Sequence, residues 1–272
     1  MAKGSYFGVG SKARKIKTMY FGVDNVARKV KKAYIGVGGK ARVWWSGFPE
    51  EPTEYTLINT YSSSTTFTAP EDGWYQIELF GRSGAGGKGA YYVGSDIQDS
   101  SVAGGGGGGG GAYCCSNKIK LNKGDTITIV IGTTCTVTIT ATTGETYSVM
   151  KCTTGANGGA GSAASSSATG GSGGNGGTAS GGNVSNISGG SGGKGSTKTS
   201  PVQDPSYNRI WSASGGSGGS AAKSGGRSGG AGGRGYLKRT LDNGWGTKTA
   251  ANGDSAQAGF CKIYRGNTNI VA

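Results

Sequence analysis

The chain has 272 residues, of which 59 are glycine and 33% are apolar, with a net charge of +14, no histidine and five cysteines. The missing histidine excludes Ser-His-Asp and Cys-His nucleophile systems. So low an apolar content confines a hydrophobic core to the stretch where apolar residues gather, residues 55–149.

The first 47 residues hold eleven Lys/Arg against one acid, Asp24, a net of +10. Within them a 14-residue unit recurs three times. Tyr6, Tyr20 and Tyr34 align, as do Gly8, Gly22 and Gly36; Val9, Val23 and Val37; Ala13, Ala27 and Ala41; and Arg14, Arg28 and Arg42. Each unit carries a central pair suited to a two-residue hairpin turn: Gly10-Ser11, Asp24-Asn25 and Gly38-Gly39. The pattern predicts short β-hairpins stacked into a ribbon or small solenoid. Three such units bury little, so the segment is expected to order against a partner. The basic face reads as a docking surface for protein, with a solvated face or phosphate contacts to nucleic acid as the other readings. The unit Tyr-x-Gly-Val-x-x-x-Ala-Arg resembles repeats of predicted virion proteins of bacteriophages and prophages of Gram-positive bacteria. That resemblance implies virion docking through Tyr6, Arg14, Tyr20, Arg28, Tyr34 and Arg42.

Trp45 to Glu54 contains Gly47, Pro49 and Pro52 with three glutamates, and the charge changes sign there. The expected division is a basic anchor over 1–47, a linker over 48–54 and a second domain over 55–272. That domain opens with strands. Trp74 to Phe80 alternates as a half-buried strand after the turn Glu71-Asp72-Gly73. Residues 112–121 continue, Lys123-Gly124-Asp125 makes a turn, and 126–132 is a strand, β-branched up to Gly132. Residues 135–141 and 146–152 read as a hairpin around Thr143-Gly144, and 259–265 supplies a last strand. Together these predict a β-sandwich.

The loops of that sandwich carry the glycine tract, mainly 82–111 and 155–259, with 49 of the 59 glycines beyond residue 81. Much of it is phased Gly-Gly-X, as in 170–177, 189–193 and 215–219. Three residues per turn is the period of an extended left-handed helix with no internal hydrogen bonds. Such helices, bare on two of three faces, can pack side by side and bond laterally. A bundle of polyglycine-II helices is the expected form. A flexible Gly/Ser linker is the alternative, and five prolines are too few for collagen. The fold class is therefore all-β: hairpin repeats, then a β-sandwich carrying an inserted polyglycine-II bundle.

The order Phe67, Pro70, Gly73, Tyr75, Leu79, Gly81, then Gly104 to Gly111, then Leu121, Gly124, Asp125, Ile129, Ile131, Gly132 resembles the glycine-rich domain family. That family includes the ligand-binding region of anaplastic lymphoma kinase-type receptors. Phage tail-tip adhesins also present polyglycine-II bundles with variable loops at their ends. The receptor branch has an export signal and a cysteine framework that this sequence lacks. The resemblance implies that loops 91–102, 201–213 and 236–254 meet the host surface. Tyr91, Tyr92, Tyr207, Trp211, Tyr236 and Trp245 are the candidate contact residues, with capping of the bundle ends as their alternative role.

Chemistry is sparse elsewhere. Cys114, Cys115, Cys135, Cys152 and Cys261 show no Cys-x-x-Cys spacing, so reduced, buried thiols are expected rather than a metal site. Gly-x-Gly-x-x-Gly matches occur by composition alone, and Lys194 is followed by Gly195 where a phosphate-binding loop needs Ser or Thr. Neither enzymatic activity nor a cofactor is expected. The N-terminal residues are basic without an apolar run, which predicts synthesis in the host cytoplasm and no membrane insertion. The expectation is a virion protein, a tail-associated fibre or adhesin. Its partners would be other virion proteins, a host-surface glycan or protein, and further copies of itself, a trimer among the options; nucleic acid is not favoured. A head fibre or capsid decoration protein, or a non-viral glycine-rich ligand-binding module, are the alternatives.

Overall fold

Each 14-residue repeat closes on itself as an antiparallel hairpin. The computed structural model describes residues 6–9, 12–15, 19–23, 26–30, 32–37, 39–46, 51–205, 208–240 and 244–267. Tyr6–Val9 pairs with Lys12–Lys15, Tyr20–Val23 with Val26–Lys29, and Lys32–Val37 with Lys40–Ser46. The register is the same three times: Phe7 lies opposite Arg14, Phe21 opposite Arg28, and Ile35 opposite Arg42. Two residues join the strands each time; Gly39, with φ +73°, has the positive φ a tight hairpin turn requires. The turn residues 10–11, 24–25 and 38 lie outside the described residues.

The stacked ribbon does not form among the described residues, since each hairpin is a separate two-stranded sheet. Pairing across a two-residue turn closes a far shorter loop than pairing between units. The third hairpin runs to Ser46.

The domain beyond is a β-sandwich. One antiparallel sheet has the order Ser185–Ile187, Tyr113–Leu121, Gly73–Phe80, Phe260–Gly266, Tyr55–Tyr61. The other has the order Ala179–Ser180, Thr146–Thr153, Thr134–Thr140, Thr126–Val130, Thr65–Thr68. Alternation puts Tyr75, Ile77 and Leu79 of one sheet against Ile127, Ile129, Val137 and Ile139 of the other, all fully buried. The turn at 122–125 is held by the buried carboxylate of Asp125, which accepts from the Asn122 and Thr142 amides at 2.8 and 3.0 Å. The hairpin at 141–145 turns on Gly144, φ +87°. Four cysteines fill this core, and the Cys152 thiol donates to Cys114 across the sheets at 3.3 Å. That hydrogen bond and burial push the Cys152 thiol up, and burial does the same to Cys261. Both behave as small hydrophobes.

Between the sandwich and the far end of the molecule run eight extended segments: 82–89, 104–111, 154–161, 170–178, 188–196, 214–220, 227–234 and 251–258. None is a strand. Their backbones bond laterally with a three-residue period. In the central run, the amides of Gly104, Gly107 and Gly110 donate to Ser196, Gly193 and Gly190; those of Gly105, Gly108 and Gly111 to Gly233, Gly230 and Arg227; those of Gly106 and Gly109 to Gly159 and Ala156. Its carbonyls accept in the same rhythm: at 104, 107 and 110 from Gly171, Gly174 and Gly177; at 105, 108 and 111 from Gly216, Gly219 and Ala222; at 106 and 109 from Gly87 and Gly84. Every N–H and every C=O of Gly104 to Gly111 is thus satisfied, by six different neighbours. Those neighbours bond to one another around a closed ring. Segment 251–258 lies outside it, against 82–89 and 227–234.

No side chain fits at the centre. A Cβ on Gly106 would stand 1.8 Å from the Ser172 carbonyl oxygen, and one on Gly107 1.8 Å from that of Ser217. Both neighbours are backbone and cannot swing away. Gly107→Ala should therefore cost at least ~3 kcal/mol, at or beyond the upper end of ordinary overpacking. Ser217→Ala, at an exposed third position of the ring, should stay within ~0.5 kcal/mol. Thermal melts followed by circular dichroism check the contrast; equal melting temperatures would remove the lattice as the structural centre.

Candidate functional site

The sandwich sends out four segments, 82–89, 154–161, 188–196 and 227–234, and receives four back. The turns between them, 90–103, 162–169, 197–213 and 235–250, all emerge at the end away from the sandwich, and they interlock into a cap. Ser101–Ala103 lies between Ala90–Tyr92 and Thr197–Lys198. The Ser101 hydroxyl lies within hydrogen-bonding distance of the Ala164 and Ser167 carbonyls, at 3.1 and 2.7 Å, which ties in the hairpin Ser162–Ala164/Ser167–Thr169. Val202–Gln203, Arg209–Ala213, Gly235–Arg239 and Trp245–Ala250 make a four-stranded antiparallel sheet. Val102, Trp211, Ala213 and Leu237 are fully buried beneath it, with Val93 and Trp245 partly covering them. The cap has a small core of its own, which the glycine segments alone cannot supply.

Five of the six candidate contact residues fall among the described residues, and all five are in the cap. Tyr91 and Tyr92 are the most open, 39% and 37% exposed. Tyr236 and Trp245 are half-buried. The Arg234 guanidinium sits 5.6 Å from the Tyr236 ring centroid, and that of Arg239 5.6 Å from Trp245. Trp211 is a correction: it is fully buried, 5.8 Å from Trp245 between ring centroids, so it builds the cap and touches no outside partner. Alternation along Arg209–Ala213 turns Trp211 and Ala213 inward together. Its indole N–H has no hydrogen-bond partner among the described residues. Tyr207 lies outside the described residues.

Sequence reasoning passed over Arg234, Lys238 and Arg239, whose spacing beside Tyr236 was the available signal, and Asp204. Asp204 accepts from the Asn208 amide at 2.8 Å and pairs with Lys238 at 3.8 Å. The hairpin 162–169 was passed over too, its Ser/Ala composition being indistinguishable from the surrounding tract.

In the N-terminal hairpins, Tyr6, Tyr20 and Tyr34 occupy one register position, and Arg14, Arg28 and Arg42 another. Tyr20 and Tyr34 are 61% and 57% exposed.

A third polar cluster lies on the outer face of the sandwich. Glu78, buried, accepts from Tyr113 at 2.7 Å, from Tyr264 at 2.6 Å and from the Lys223 ammonium. Lys223 also lies 4.5 Å from the centroid of the Tyr113 ring. Phe80 and Phe260 stack beside it at 4.2 Å, and Arg227 lies 4.7 Å from the Phe260 centroid. This cluster clamps the loop 221–226, which joins two ring segments, onto the sheet. Burial alone would push the Glu78 carboxyl up, but hydrogen bonds from Lys223, Tyr264 and Tyr113 outweigh it and hold the carboxyl below its ordinary value. Burial and the bond to Glu78 push the Tyr113 and Tyr264 hydroxyls up, so both remain donors.

No protein-family model matches the chain, and no curated protein matches it. Among the described residues no helix is long and apolar enough to cross a membrane, and no group of three or more His, Cys, Asp or Glu is placed to hold a metal ion.

Two outcomes follow from this geometry. Trp211→Ala should cost ~3–5 kcal/mol and Trp211→Phe much less, because the phenyl ring keeps most of the packing and removes the unpaired N–H, whereas Tyr91→Ala should cost less than ~1 kcal/mol. Differential scanning fluorimetry of the three variants checks the order. For Glu78, the depressed folded pKa makes its contribution to stability full above the ordinary carboxylate value of 4.5 and lost as pH falls through the lower folded value. The melting-temperature gap between wild type and Glu78→Gln should be widest at pH 6–7 and close progressively below about pH 4; a gap independent of pH would rule out the clamp.

Proposed function

We propose that this protein is a virion appendage, a tail-associated fibre or adhesin that docks on the particle by its basic hairpins and meets the host surface with its cap. The observation that carries this reading is the placement of all four distal turns at one end of a rod of laterally bonded segments. We infer that the rod is a bundle of polyglycine-II helices. The three-residue hydrogen-bond period and the six-neighbour packing around Gly104 to Gly111 support it. At ~3.1 Å per residue, eight residues hold the cap ~25 Å from the sandwich. Function in such designs resides in loops on a stiff scaffold, and here exposed tyrosines and arginine-backed aromatics stand at the tip. The resemblance of the repeats to phage virion proteins supplies the particle, and the N-terminal charge supplies the means of docking. Attachment to the head instead of the tail would use the same anchor.

The test compares two variants of the full chain. One carries Tyr91→Ala, Tyr92→Ala, Tyr236→Ala and Trp245→Ala; the other carries Arg14→Gln, Arg28→Gln and Arg42→Gln. The cap variant should bind particles lacking the protein normally and lose host-cell binding by at least ~10-fold. The hairpin variant should do the reverse. Undiminished binding of the cap variant to cells would make the protein a passive decoration.

A further inference from the structure

The hairpins have two features that matter here. First, the second hairpin is uncovered on both sides, and the third is open at Tyr34. Tyr20 and Phe21 are neighbours in one strand, hence on opposite sides of the hairpin, and they are 61% and 67% exposed. No heavy atom lies within 4 Å of where a Cβ on Gly22 or Gly36 would stand, which leaves flat ground beside the tyrosine. An isolated two-stranded hairpin is marginal in water, so these must be covered to be stable. Second, the register divides the charge. Tyr6 and Tyr20 stand opposite Lys15 and Lys29, and Tyr34 opposite Val43, while at the next register position Phe7, Phe21 and Ile35 stand opposite Arg14, Arg28 and Arg42. Neither register position sets a cation opposite a cation. A phosphate backbone would be met by cations gathered on one face. A mixture of one apolar residue and one cation, at the Phe/Ile–Arg position of all three hairpins and at the Tyr–Lys position of the first two, fits a slot between two protein walls, apolar where they touch the rings and acidic where they meet Lys and Arg.

We propose that each hairpin is one of three equivalent docking units, and that their partner is an acidic protein assembly presenting the same slot in several neighbouring copies. The proposal rests on the virion-docking reading above. Identical register and identical Tyr, Gly, Ala and Arg positions in three separate sheets require three like sites, not one extended surface. The chain between Lys15 and Tyr20 spans at most ~17 Å fully extended. Successive slots therefore lie on adjoining subunits, as in a ring or a lattice of one protein. Three weak contacts on one chain bind through effective concentration, so each unit multiplies the affinity of the others.

The experiment uses the full chain against immobilised particles lacking it, with poly-L-glutamate as a parallel probe and a 20-base-pair DNA duplex as competitor. Variants are Arg14→Gln, Arg28→Gln and Arg42→Gln, singly and combined, and a deletion of residues 20–33, one full period. The three single substitutions should weaken binding by similar factors, roughly tenfold each, and pairs by the product. The deletion should cost ~100-fold or more, and the duplex should not compete. One substitution carrying the whole loss would overturn the equivalence of the units. Displacement by the duplex would make the segment a nucleic-acid interface. If the unmodified chain ignores the particles, the virion-docking reading fails. In that case, equal stepwise losses on poly-L-glutamate would uphold three acidic-protein docking units, and unequal losses there would overturn them as well.

Discussion

A glycine backbone taken out of water must find a partner for every N–H and every C=O, and the rest of this molecule depends on how that demand is met. Neither an α-helix nor a sheet ladder serves the central run. It has instead six parallel and antiparallel neighbours, each taking a bond from every third residue. Each bond adds only ~0.5–1.5 kcal/mol net, and an unmade one costs more. The arrangement therefore holds as a whole. Fixing glycine carries a large entropic cost, and it is offset by close approach of backbones that a single methyl group would prevent.

The two ends of the rod solve the same problem by different means. At the sandwich, the segments grow out of strands already held in a hydrophobic core, and Glu78 with Lys223, Tyr113 and Tyr264 ties down the loop 221–226. At the cap, four turns share a core built on Trp211 and Leu237 and cross-link through Ser101. The shared core and the Ser101 cross-link set the relative positions of the side chains of the cap without help from a partner. The hairpins contrast with this: they have local pairing, exposed aromatics and no common core among the described residues.

Strands were legible where alternation was strong. Tyr75, Ile77 and Leu79, or Ile127 and Ile129, announce their faces by period two, and Gly39 and Gly144 mark their turns by chemistry that only positive φ explains. The glycine region was legible in an unexpected detail. The run without any side chain, Gly104 to Gly111, is the one with neighbours on all sides. The Gly-Gly-X segments form the ring, with their third residues such as Ser172, Asn175 and Ser217 exposed. Segment 251–258, with a single glycine, lies outside. What could not be read is which segment bonds to which, because ring positions with the same composition are interchangeable until the chain's path is known. Trp211 was misplaced for a related reason: an aromatic in a polar loop looks like a contact residue until the other loops of the cap are packed over it. Glu78 and Lys223 are 145 residues apart, a separation no local pattern bridges.

The three-residue bonding period gives the rod a reading frame. Removing or adding one residue within a ring segment would rotate its side-chain stripe toward the centre and turn a glycine outward, while a change of three would slide the segment one step and restore every bond. Loops of the cap carry no such frame. Length changes in the cap, then, are not bound to threes as they are along the shaft, so the cap can be remodelled residue by residue while its distance from the sandwich changes only in fixed steps.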